Sequence, residues 1–155
     1  MAKLGDAFSP DERRKSVFRR LKLGAVVRLV VAFPEGPRTK FLVVVHVDEQ
    51  CCTLIVNSRV NPFISSHPEL NVCQVRVDVA RHPFLRHDSH IACHDVLRLP
   101  TAAVVRDLVA DERLFVGTIH REIVVEIVAA IKRAPTLTPA DQAAFAGSLE
   151  SEAGD

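Results

Sequence analysis

Asp88-Ser89-His90-Ile91-Ala92-Cys93-His94-Asp95-Val96-Leu97-Arg98 is the densest run of reactive side chains in this sequence. Two β-rich runs lead into it and two helical patterns follow. Its side chains could converge on a metal, converge on a substrate, or belong to an ordinary strand, and that choice decides what kind of domain this is. Alternation favours the strand. Successive side chains of a strand face opposite ways, so His90 and His94 share one face while His87 and Cys93 take the other.

Upstream, Val72 to Val79 alternates, with Cys73, Val75, Val77 and Val79 on one side and Gln74, Arg76 and Asp78 on the other, which predicts a strand with one wet face. Before it, Ala25–Phe33, Phe41–Val47 and Cys51–Val56 are apolar runs joined by short connections, the pattern of an antiparallel meander. Phe41–Val47 is apolar almost throughout, as in a strand buried on both faces. Pro34 to Thr39 and the polar stretch 57–69 are predicted loops, on the strength of their Pro, Gly, Asn and Ser content. Ser9-Pro10-Asp11-Glu12 is a helix start, with Ser9 as cap, Pro10 in the first turn and Glu12 placed to close a capping box. The short basic helix that follows runs to about Leu21.

Downstream, Thr101 is placed to cap a helix over Ala102–Ala110. Gly117-Thr118 opens the strongest helix of the chain, where Ile119, Ile123, Ile127 and Ile131 recur every four residues and Pro135 ends the pattern. Thr138-Pro139-Ala140-Asp141 begins a weaker helix, after which an acidic end is expected to fray.

A chain of 155 residues, 48% hydrophobic and 25% charged, fits one globular domain. Its net charge of +1 hides an asymmetry. Residues 1–40 hold ten basic side chains against four acidic ones, while residues 135–155 hold four acids and no base. A basic third of this kind can meet phosphates. With no Trp or Tyr, any stacking on nucleic-acid bases must use Phe or His. No run is apolar enough for a membrane span, the opening residues lack the apolar core of a signal peptide, and Cys51, Cys52, Cys73 and Cys93 are expected as free thiols in a reducing cytoplasm. No phosphate-binding glycine loop, G-x-S-x-G elbow or H-E-x-x-H pair is present.

Three chemistries remain open on residue type. His82, His87, His90, Cys93 and His94 are zinc-type ligands, but their spacing matches no finger or ribbon, and no metal or other cofactor is expected. Ser58, Ser89 and Cys93 are possible nucleophiles if a histidine base reaches them. RNA cleavage needs only a base, an acid and a cation for the developing phosphorane charge. Arg38 and Lys40 in or beside the first loop, Arg28 on the strand before it, and Ser58 after the third strand qualify.

In order and spacing, three segments resemble the PemK/MazF family of toxin endoribonucleases. They are Leu23-Gly24-Ala25-Val26-Val27 with Phe33-Pro34-Glu35-Gly36 and Phe41-Leu42-Val43-Val44-Val45; Asp88-Ser89-His90-Ile91 with Asp95-Val96-Leu97-Arg98; and Arg113-Leu114-Phe115-Val116-Gly117-Thr118-Ile119. The likeness spans roughly residues 23–133. It implies a mainly β fold with helices: a small SH3-like antiparallel β-barrel with a long C-terminal helix, here preceded by an extra N-terminal helix. The implied layout is a basic helical extension at 1–22, the barrel domain at 23–134 and an acidic tail at 135–155.

The resemblance also implies a metal-independent endoribonuclease acting on single-stranded RNA, a homodimer, and a cognate antitoxin as partner. The family's catalytic arginine follows its first loop, usually before a proline. The matching positions here read Arg38-Thr39-Lys40-Phe41, so Arg38 or Lys40 takes that role, and only Arg38 offers a bidentate phosphate grip. The family's catalytic Thr or Ser falls on Ser58. Arg28, Asn57, Ser89 and His90 are the expected substrate contacts. The same barrel without cleavage, as a protein- or nucleic-acid-binding module, is the alternative.

Overall fold

The structure is a computed structural model and describes residues 9–153. At its centre, Leu42, Val43, Val44 and Val45 have no solvent exposure at all. Four consecutive strand residues can be buried only if both faces of the sheet are covered. Both are covered, by helices.

The sheet contains β1 (Ala25–Phe33), β2 (Gly36–Val47), β3 (Gln50–Asn57), β4 (Gln74–Val77), β5 (Ser89–Pro100) and β6 (Phe115–Thr118). Its order is β4-β5-β3-β2-β1-β6, and every neighbouring pair is antiparallel. The expected β1-β2-β3 meander is present. Register shifts at Val26/Val27, Val44/His46 and Leu54/Val56 interrupt the ladders. Bulges of this kind add local twist, and the sheet curls into a half-barrel. Helix and strand contribute comparable shares of the described chain, so the class is mixed rather than mainly β.

One face packs Val26, Val43, Leu54, Val75 and Ile91 against Ile123, Ile127 and Ile131 of α5 (Arg121–Arg133) and Phe145 and Leu149 of α6 (Pro139–Ala153). The other face packs Val27, Leu29, Val31, Leu42 and Val44 against Val17 and Leu21, at the end of α1 (Pro10–Arg20), and Val104 and Leu108 of α4 (Thr101–Ala110). The α1 capping box forms as expected, with the Glu12 N–H donating to Ser9 Oγ at 3.1 Å. The C-terminal helix is stronger than expected. Arg98 donates to Asp141 at 2.7 Å and lies over the Phe145 ring, which fastens α6 to the sheet.

Four local expectations fail, two to hydrogen bonding or turn chemistry within a few residues and two to partners distant in sequence. Pro34–Thr39 is not a loop. Pro34-Glu35 makes a tight turn, Gly36 adopts φ 124°, and Arg38 and Lys40 lie on β2 paired to Val31 and Leu29. Stretch 57–69 is not irregular, because Asn61 and two prolines start single-turn helices α2 (Pro62–Ser65) and α3 (Pro68–Asn71). Thr101 does not cap α4; its hydroxyl donates to the Asp48 carbonyl at 2.7 Å. Gly117-Thr118 ends β6 instead of opening α5, whose cap is His120. Gly117 is needed there: a Cβ would come within 2.7 Å of the Phe84 ring.

Phe84 belongs to the segment between β4 and β5, which bridges to β6 and the start of α5. His82, fully buried, is its pivot. His82 Nδ1–H donates to the Asp78 carbonyl at 2.8 Å, and Nε2 accepts the His120 N–H at 2.9 Å. Arg81 adds an ion pair to Asp78 and another to Glu122, each at 2.8 Å.

Candidate functional site

Paired residues of antiparallel strands share a face, so the register assigns each candidate its side. Lys40 stands beside Asn57, Asn57 pairs with His90, and His90 pairs with Arg76, forming one polar row across four strands. Lys40 Nζ donates to Asn57 Oδ1 at 3.2 Å. The row is on the sheet face that carries α1 and α4. Arg28 pairs with Phe41 and therefore points the opposite way from Lys40. Arg38 shares Lys40's face two residues along, exposed.

At this end of the sheet is a cleft of about 200 Å³, lined among others by Lys40, Ser58, Arg86, His87 and Ser89. Two of the three expected catalytic residues, Lys40 and Ser58, line it, and Arg38 does not. Ser89 is only 4% exposed and its hydroxyl donates to the His87 carbonyl at 3.0 Å, so it shapes the wall. Arg86 and His87 are additions that sequence reasoning missed. They belong to the irregular segment after β4, and only the fold brings them to the cleft that Ser58 and Lys40 border.

The cleft's charge is positive. Among the described residues, Arg38, Lys40, Arg59 and Arg86 have no salt-bridge partner, whereas Arg76 is paired to Asp88. The Val79 N–H and then Arg76 hold the Asp88 carboxyl below the usual range, so Asp88 is ionised and already matched by a cation. Thr39, Phe41 and Val56 also line the cleft, so it opens on the sheet face opposite the Lys40–Asn57 row; Ser58, Arg86 and His87 supply its polar lining and Lys40 borders it.

The other reactive side chains do not gather. Among the described residues, no three His, Cys, Asp or Glu groups are placed to hold a metal ion. His82 is committed to the pivot, and His94 is hydrogen-bonded with Gln74 at 3.0 Å, its pKa lowered by burial. Cys93 is fully buried and burial raises its thiol pKa strongly, which removes the thiolate a nucleophile needs.

No sequence profile of a known family matches the chain, and no curated protein matches it significantly. No helix among the described residues is long and apolar enough to cross a membrane.

Proposed function

We propose that this protein binds single-stranded RNA at the Lys40–Ser58 cleft and cleaves it without a metal, as the toxin half of a toxin–antitoxin pair. The observation that carries this reading is the meeting of Lys40, Ser58 and His87 in one cationic cleft. Further support comes from the ordered motif likeness to PemK/MazF toxins and from a curled antiparallel sheet compatible with their SH3-like barrel. A homodimer and a peptide-like antitoxin belong to the same proposal.

In the proposed reaction the ribose 2′-hydroxyl attacks the neighbouring phosphorus as its proton passes to the His87 imidazole. The P–O5′ bond breaks and the 5′-oxygen takes a proton from a solvent water, leaving a 2′,3′-cyclic phosphate, and the His87 imidazolium returns its proton to the resulting hydroxide. Lys40 turns from Asn57 to face the developing negative charge, and Ser58 donates to a non-bridging oxygen. Arg38 contacts the strand just beyond the cleft.

Incubation with a long single-stranded RNA, with and without EDTA, tests the proposal. Discrete fragments unaffected by EDTA are expected, and Lys40→Ala or Ser58→Ala should slow cleavage about 100-fold, the scale of losing one transition-state donor. Intact RNA at high protein concentration overturns the catalytic reading. RNA binding without fragments would favour the binding-module alternative, which the substitution of Thr39-Lys40-Phe41 for the family's Arg-Pro supports.

A further inference from the structure

We infer that Phe63 and His67 form a base-stacking subsite for the same single-stranded RNA, an inference that rests on the RNA-binding reading. Phe63 is 60% exposed, and its ring centre lies 4.2 Å from that of His67 with the planes 35° apart. One face of Phe63 is thus backed by an imidazole, and the ring remains more than half open to solvent. A single exposed apolar side chain is ordinary on a protein surface. This one is held in place.

Its backbone is fixed at both ends. The Phe63 N–H donates to Asn61 Oδ1 at 2.8 Å, and the Phe63 carbonyl accepts from Ser66 Oγ at 2.8 Å and from His67 Nδ1–H at 2.6 Å. A rigid aromatic loses little conformational freedom when a base stacks on it, and every base has a π-face to offer. Such platforms work where a positive groove tracks the backbone. Here the chain runs directly from cleft to platform: Ser58 lines the cleft, exposed Arg59 follows, and Phe63 comes five residues after Ser58. Five residues span at most about 17 Å, a distance that a few nucleotides bridge. With Lys40, Arg86 and Arg59 supplying the phosphate charge, the complementary occupant is a single strand whose base splays onto Phe63.

The test uses the full chain and a fluorescently labelled single-stranded 2′-O-methyl oligoribonucleotide, which cannot be cleaved because its 2′-oxygen is blocked. Fluorescence anisotropy should show Phe63→Ala binding about 10-fold more weakly, the scale of one lost base–aromatic stack, with Phe63→Tyr restoring wild-type affinity. On an equivalent strand with abasic spacers the Ala and wild-type proteins should bind equally. Equal wild-type and Ala affinities on the base-bearing strand overturn the subsite while leaving the RNA-binding reading intact. So does failure of Tyr to rescue, or an undiminished Ala defect on the abasic strand. No wild-type binding to any strand overturns the subsite and the RNA-binding reading together.

Discussion

His82 carries more of the structure than its place in a histidine-rich stretch suggests. Its two ring nitrogens satisfy the Asp78 carbonyl and the His120 N–H, and so tie the segment after β4 to the start of α5 with no solvent contact. Removing the ring would strand both backbone groups and open a cavity, each costing on the order of 1–3 kcal/mol. His82→Ala should therefore lower the unfolding free energy by about 3 kcal/mol in urea titrations. An unchanged midpoint would show that the pivot is dispensable. Buried cysteines make the opposite point, since reactivity is set by surroundings rather than residue type. Burial raises the pKa of all four thiols, that of Cys51 to about 12, and none is exposed. A chromogenic disulfide reagent at neutral pH should leave the native protein essentially unlabelled and react with four thiols once it is unfolded; prompt native labelling would contradict this packing.

At the scale of elements, acid should loosen the segment between β4 and β5. Asp78 is held well below the ordinary carboxylate range, chiefly by hydrogen bonds from the Arg81 side chain, and Asp88 is lowered by the Val79 N–H and Arg76. A carboxyl lowered in the folded state contributes stability that is complete above its unfolded pKa, near 4, and is lost as pH falls through the folded value. Amide exchange at Val79 and Arg81 should thus accelerate, relative to core amides, as pH drops below about 4. Uniform protection across that range would show that these carboxylates do not hold the segment. The cleft wall supplied by Arg86 and His87 belongs to the same segment, so loosening it should also weaken the proposed RNA binding. Elements also differed in how legible they were. The α1 capping box and the four-residue isoleucine spacing of α5 are local chemistry, and both elements form where that chemistry lies, although α5 starts later than Gly117-Thr118 because those residues pair with β1.

For the whole molecule, the two-faced burial of β2 explains why the candidate site is at one end of the sheet. Helices α1 and α4 cover one face and α5 and α6 the other. Open polar surface remains where β2 runs beyond β3, around Arg38, Lys40 and Ser58. The cleavage assay with Lys40→Ala and Ser58→Ala and the Phe63 binding series probe two ends of that surface.

From composition, periodicity and capping alone came the strands of the meander, the basic first helix, the amphipathic α5 and the separation of the central histidines onto opposite faces. These follow from interactions within a few residues, where side-chain period and backbone hydrogen bonding act directly. Only the tertiary structure decided that Arg38 and Lys40 sit on a paired strand, that Arg28 faces away from them, and that Arg86 and His87 line a cleft with Ser58. It also turned Asp88–Arg98 from an apparent reactive centre into the strand that joins β4 to β3, burying Ile91 and Cys93 and extending Arg98 to α6. Those outcomes depend on register and on contacts between residues some forty positions apart, whose energies arise only when the chain closes on itself.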